Sequence, residues 1–261
     1  MVNEIERRSP VTNPLPSDAT RTAKQADARW AYWRSTADGI VELGTLEGCD
    51  VGLRAHFHAE DQITFVVSGR RRFVLGGEII VLVASQGILI PAGVVHRSMA
   101  EPAGVACINA YALPGEYAVA AMLRDLGLLR QDPNRFRAEE VAAVIREHRR
   151  GAGGCPPAGS AGADRHGPVG RMATQAGMSR EGFSRRFARD HGMPPHAFWR
   201  MDRLNHARGL LRTGEGIAAV AAEARFTDQS HFGRCFLRAF GITPGRYRAG
   251  WPRSQTCQTR H

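Results

Sequence analysis

The sequence predicts an α+β chain of two domains: an N-terminal antiparallel β-barrel followed by helices, and a C-terminal all-α domain with two helix-turn-helix units. Three observations carry this. Short β-prone runs alternate with glycine turns over the first 115 residues, Gly151–Gly167 is almost wholly Gly, Ala, Pro and small polar residues, and a repeated helical unit follows.

In the first region Ile63–Val67, Arg72–Leu75 and Ile79–Val83 are separated by Ser68-Gly69 and Gly76-Gly77, and Ile88–Ile90 and Val105–Ala112 follow. Strands of this length with glycine punctuation belong to all-β barrels or sandwiches. Glu116–Arg130 and Arg137–Arg149 then carry apolar residues at spacings of three and four (Val119, Met122, Leu123, Leu126; Val141, Val144, Ile145), so each is expected to be an amphipathic helix. Such helices pack on the barrel or on a second subunit, and we expect the second, giving a homodimer through residues 116–150. Residues 151–167 are expected to be a flexible linker.

Downstream of the linker one unit occurs twice, 49 residues apart. Phe183, Phe187, Gly192, Pro195 and Phe198 in the first copy match Phe232, Phe236, Gly241, Pro244 and Tyr247 in the second. Ser179 and Asp228, four residues before each leading Phe, are strong N-cap types, and the glycines suit a helix C-terminus. Each copy therefore reads as a capped helix with a buried aromatic pair on one face and arginines on the other. A second apolar helix and a tight turn precede each: Val169, Met172, Ala173 and Ala176, then Ile217, Val220, Ala221 and Ala224. Helix, short turn, capped helix is the grammar of a helix-turn-helix.

Charge agrees with that reading. The net charge is +10, and residues 1–163 are balanced, with 18 basic and 18 acidic side chains, whereas residues 164–261 hold 17 basic and 7 acidic ones. A basic module beside a neutral one suits a polyanion partner, because Lys and Arg gain affinity by releasing counterions from phosphates. Genome base bias explains Arg over Lys, but not its concentration without matching acids. The second helix of such a unit presents its N-terminal turns to the major groove, so the expected DNA-reading residues are Arg180, Glu181, Ser184 and Arg185, then Gln229, Ser230, His231 and Arg234.

No apolar run approaches the roughly 20 residues of a membrane span, and Met1–Arg29 contains no signal-peptide core, which excludes an integral membrane protein and suggests the cytoplasm. Cys49, Cys107, Cys155, Cys235 and Cys257 are scattered, form no C-x-x-C pair and read as free thiols.

The segment Phe226-x-Asp228-x-Ser230-His231-Phe232-x-Arg234-x-Phe236, followed by Gly241-Ile242-Thr243-Pro244-x-x-Tyr247-Arg248, resembles the signature of AraC-type transcription regulators. Arg203-Leu204-x-x-Ala207-Arg208-x-Leu210-Leu211 resembles the helix joining that family's two units, and the likeness covers Val169–Arg248. One departure is Arg225, where the family usually has glycine; a non-glycine residue there needs a left-handed backbone at some cost. Upstream, His56-x-His58, Gln62, Gly69 and Pro91-x-Gly93-x-x-His96 resemble the two short motifs of cupins, whose metal-binding members use three His and an acid. Here Gln62 stands at the acid position, which weakens a hard-cation site, although three His still suit zinc.

The resemblance implies a cupin-like effector-sensing domain with an N-terminal arm over residues 1–115 and an AraC-type DNA-binding domain over 168–250. The expected partners are double-stranded promoter or operator DNA, a small-molecule effector near His56, His58, Gln62 and His96, and RNA polymerase if the protein activates. No catalytic residues, metal, cofactor or membrane partner are assigned. A metal-dependent cupin enzyme, an isomerase or dioxygenase with a helical appendage, is the alternative, and an architectural DNA-binding protein without an effector is a third reading.

Overall fold

The computed structural model describes residues 28–131, 137–152 and 169–251. The N-terminal half is an antiparallel sheet curled into a half-barrel, hinged on one long strand, β4 (Asp61–Leu75). The first half of β4 pairs with β6 (Gly87–Ile90) and β8 (Val105–Ala112), and β8 pairs in turn with β2 (Ile40–Gly48) and β2 with β1 (Arg29–Arg34). Its second half pairs with β5 (Glu78–Val83) and β7 (His96–Ser98), and β7 pairs with β3 (Leu53–His56).

The two runs Ile63–Val67 and Arg72–Leu75, expected as separate strands, are thus one. Ser68-Gly69 is not the turn it was expected to be: the register slips between Val66 and Ser68 and Gly69 takes φ +73°, so the pair forms a bulge that bends the strand from one sheet into the other. A Cβ on Gly69 would overlap the Gly104 carbonyl, so the bend also needs glycine for close approach. Gly76-Gly77, with φ of +60° and +89°, is the expected hairpin turn.

Beyond β9 (Gly115–Tyr117), α1 (Val119–Leu129) and α2 (Ala138–Glu147) form within the two expected windows. Their apolar stripes do not wait for a second subunit. Met122, Leu126, Val141, Ala142 and Ile145 are buried with Leu43, Ile63, Phe65, Ile108 and Ala110 on the outer face of the sheet. The start of the expected linker is likewise structured, since Arg149–Ala152 forms β10 paired with β9; residues 153–167 of the linker lie outside the described residues.

The C-terminal region is helical: α3 (Val169–Gln175), α4 (Arg180–His191), α5 (Pro195–Arg212), α6 (Ile217–Glu223), α7 (Gln229–Phe240) and α8 (Pro244–Ala249). Local chemistry fixes the ends. The Ser179 and Asp228 side chains accept from the backbone N–H groups of Gly182 and His231, Gly192 and Gly241 cap α4 and α7 at φ +74° and +73°, and Pro195 and Pro244 open the next helices. Arg225 does adopt φ +57°, and its carbonyl accepts from Arg203 Nη1 at 2.9 Å, which holds the strained turn.

The aromatic pairs differ between the copies. Phe232 and Phe236 are fully buried, as expected, but Phe183 and Phe187 are only half-buried; Phe187 packs edgewise against Phe198 and Trp199 and stacks on His191. Cys49, Cys107 and Cys235 are free thiols, while Cys155 and Cys257 lie outside the described residues.

One apolar core runs from the inside of the half-barrel (Trp30, Tyr32, Phe57, Val66, Phe73) into the helical region (Met201, Leu204, Phe232, Phe236, Tyr247). The C-terminal ends of both capped helices meet the half-barrel there, α4 at the turn before β7 and α7 at β1. A Cβ added to Gly192 would lie 3.2 Å from the Val95 Cβ, and one added to Gly241 would fall inside the Trp30 indole. Both glycines have the same left-handed backbone, so alanine strains both alike and only Gly241→Ala also drives into a ring. G241A is expected to lose roughly 2–4 kcal/mol and G192A only about 1–2 kcal/mol, read from urea denaturation of each variant.

Candidate functional site

The expected DNA-reading residues share one environment. Arg180, Glu181 and Arg185 on α4, and Gln229, Ser230 and Arg234 on α7, are exposed, with Ser184 and His231 partly so. They occupy the N-terminal turns, which lie at the opposite end of each helix from the glycines that meet the sheet. The guanidiniums of Arg185 and Arg234 are competent for guanine and the Gln229 amide for adenine.

Of the four expected effector-site residues, all of them buried, the three histidines form one cluster. β3 supplies His56, the turn after it His58, and β7 supplies His96, with β3 and β7 paired so that His56 and His96 are register partners. Each imidazole places a ring nitrogen within 4.8 Å of the other two, and all three are buried. Gln62 sits on β4: its amide nitrogen donates to Thr64 Oγ1 at 2.9 Å and to Asn109 Oδ1 at 3.4 Å, while its buried amide oxygen has no hydrogen-bond partner.

Partners fix the protons. His56 Nδ1 and His96 Nδ1 lie 2.7 Å and 3.0 Å from the carbonyl oxygens of Arg54 and Val94, so both carry the proton on Nδ1 and leave Nε2 a lone pair. His58 is the reverse. Its Nδ1 accepts from Arg208 Nη1 at 2.9 Å, which leaves the proton on Nε2, and neither His58 Nε2 nor His96 Nε2 has a hydrogen-bond partner.

Burial holds all three imidazoles neutral. It pulls His56 and His58 well below the ordinary 6.5, with His96 adding for the first and Arg208 for the second, and it takes His96 to about 4. Three neutral, buried imidazoles, two of them with an unpartnered Nε2, are the donor set that an imidazole-preferring divalent ion takes, so the residues fit such an ion without an acid at Gln62.

Sequence reasoning missed what lies behind this cluster. Arg208 comes from α5 yet is 1% exposed, and its guanidinium is held by Glu42 of β2, by His58, and by the Tyr247 hydroxyl at 3.3 Å. The ring of Tyr111 lies 4.2 Å beneath it. One turn on, Arg212 Nε donates to Glu42 Oε2 at 3.0 Å and to the Tyr247 hydroxyl at 2.9 Å, and Arg212 Nη1 donates to Glu60. Tyr247 donates to Glu42.

Two cations face two carboxylates, so the buried group is neutral overall. Burial alone would lower the Arg208 and Arg212 pKa values, but Glu42 foremost among the neighbouring groups raises both above the ordinary arginine value. Burial would likewise raise Glu60, and the two guanidiniums hold it below the ordinary carboxylate range. A signal for Arg208 existed: it follows Leu204 by four residues and precedes Leu211 by three, so it lies on the apolar stripe of its helix.

Residues 172–250 match the family model described as "Helix-turn-helix domain". The C-terminal region is an AraC-type helix-turn-helix domain. Over 81 residues, 31% of the chain, it is 37% identical to the HTH-type transcriptional regulator MtrA of Neisseria gonorrhoeae, and over 80 residues 36% identical to the HTH-type transcriptional regulator ExsA of Pseudomonas aeruginosa. The chain spans 27% and 29% of the lengths of these two relatives. Among solved structures, ToxT of Vibrio cholerae aligns over 86% of the chain and 97% of its own, at 11% identity and a TM-score of 0.44. Among the described residues no helix is long and apolar enough to cross a membrane.

The depressed imidazoles set a pH dependence. A group whose pKa is lower in the folded state contributes stability that is present above its unfolded value and lost as pH falls toward the folded one. For His96 that window runs from 6.5 to about 4, worth on the order of 3 kcal/mol. Urea midpoints measured with chelator present are expected to fall steadily from pH 7 to pH 4.5, and less so in His96→Gln.

Proposed function

We propose that this chain is a sequence-specific, DNA-binding transcription regulator that responds to a small ligand bound in its N-terminal half-barrel, without turnover. The observation that carries the reading is the pair of capped helices, α4 and α7, whose exposed N-terminal turns carry guanine- and adenine-competent side chains in a basic AraC-type domain. The named relatives are transcription regulators, which supports the same class. Arg180, Glu181, Ser184 and Arg185 form one reading set and Gln229, Ser230, His231 and Arg234 the other, about one helical turn of DNA apart.

The effector contacts are His56, His58, Gln62 and His96, the Gln62 amide oxygen being free of other partners. A homodimer over residues 116–150 uses the outer surface of α1, where Val119 and Leu128 stay exposed after the buried stripes have packed on the sheet. If the protein activates, RNA polymerase is a further partner. A cytoplasmic location follows from the proposed role. The three-imidazole cluster favours one second reading, a metal-dependent cupin enzyme, and substrate turnover by the purified metal-loaded protein would establish it.

Selection of duplexes by the full chain from a random pool tests the proposal. A consensus with two half-sites is expected, with affinity falling with salt at a log-log slope of roughly 0.9 per phosphate contact. Arg185→Ala and Arg234→Ala are each expected to lose about 1–3 kcal/mol on the consensus and much less on random DNA. Equal losses on both would make these arginines phosphate anchors. No salt-dependent binding at all would overturn the assignment.

A further inference from the structure

We propose that a divalent, imidazole-preferring metal ion of the Zn2+ type, held by His56, His58 and His96, releases the AraC-type domain from the half-barrel, because His58 cannot ligate the ion and accept from Arg208 at once. This deepens the sensing reading above, on which it rests, by naming the effector and its route to the second domain.

A neutral imidazole has one N–H and one lone pair. With Arg208 Nη1 donating to Nδ1, the lone pair of His58 is already in use and Nε2 bears the proton. Ligation through Nε2 moves that proton to Nδ1, where it meets the Nη1–H across 2.9 Å, donor against donor. Ligation through Nδ1 displaces Arg208 outright. His56 and His96 need no such change, since the backbone carbonyls of Arg54 and Val94 already hold them as metal ligands require. His58 is therefore the one member of the triad whose ligation is incompatible with the docked arrangement.

Geometry and charge act in the same direction. Ligand nitrogens around a tetrahedral ion with bonds of about 2.05 Å lie roughly 3.4 Å apart, so nitrogens now up to 4.8 Å apart must draw together, which shifts His58 relative to Arg208. A dication also arrives beside the Arg208 guanidinium, which is 1% exposed and unable to turn to water while docked. The acceptor that could replace His58 is Glu60 Oε2, which lies 3.9 Å from Arg208 Nη1 and so beyond hydrogen-bond reach while the domain is docked, and Glu42 and the Tyr247 hydroxyl are shared with Arg212. The contact is thus reciprocal: the ion weakens docking, and docking weakens the ion.

The test uses the full chain and Zn2+ alone. Competition with a chromophoric chelator is expected to give one Zn2+ per chain, lost in His56→Gln and His96→Gln. Arg208→Met is expected to bind Zn2+ at least tenfold more tightly than the unaltered chain. In the unaltered chain, saturating Zn2+ is expected to speed amide exchange at least tenfold in α5 and in the covered strand β1.

That exchange measurement needs no variant, so it decides the matter even if Arg208→Met fails to fold. Absence of stoichiometric Zn2+, Zn2+ bound with exchange unchanged, or an unchanged affinity in folded Arg208→Met would each overturn the proposal. Failure of the sensing reading looks different. Zn2+ would bind and undock the domain while consensus DNA binding and transcription stayed as they were.

Discussion

A guanidinium taken wholly out of water costs several kcal/mol unless every donor is met, and the Arg208 guanidinium is taken out of water at the seam between two domains. It survives there because β2, the turn after β3, and α8 converge on it with a carboxylate, an imidazole and a hydroxyl, while Tyr111 covers its face. None of those groups comes from its own helix. The relative placement of half-barrel and helices is consequently over-determined by one side chain. Removing only one partner leaves a buried charge uncompensated, a loss of about 3–5 kcal/mol. Arg212 adds a second cation and, with Glu60, brings the group to neutrality.

The N-terminal half is organised by a different constraint, the bend in β4. A flat strand of 15 residues could pair with one set of neighbours; the Ser68-Gly69 bulge lets it serve two sheets, one carrying Gln62 and Asn109 and the other carrying His56 and His96. The outer face of the first sheet is closed by α1 and α2, which leaves its inner face to join the core shared with the helices. The bend thus explains why three imidazoles from β3, β7 and the intervening turn gather beside the AraC-type domain.

What could be read in the sequence was whatever local chemistry decides. Ser179, Asp228, Gly192 and Gly241 act within a few residues of themselves, so the ends of α4 and α7 were legible, and so was the left-handed backbone at Arg225. The His-x-His spacing and the later His were legible as a motif. Strands β1 and β2 were not, because Gly44 interrupts β2 and the pairing that stabilises it is with β8, more than 60 residues on. Ser68-Gly69 looked like a turn because a bulge and a turn use the same residue types. The Arg208 site was hidden for the plainest reason: Glu42 and His58 lie 166 and 150 residues away, and no local pattern encodes which distant acid a buried arginine will meet.

The polarity of the two capped helices connects these levels. A helix N-terminus carries partial positive charge and free N–H groups, which favour phosphate, and in α4 and α7 that end also bears the exposed side chains suited to bases. The opposite ends, Gly192 against Val95 and Gly241 against Trp30, rest on the half-barrel. Both helices meet the half-barrel through a glycine main chain seated on a single side chain, Val95 or Trp30. Because α5 joins the two units and carries Arg208 and Arg212 into the same seam, the contacts made there bear on both units at once.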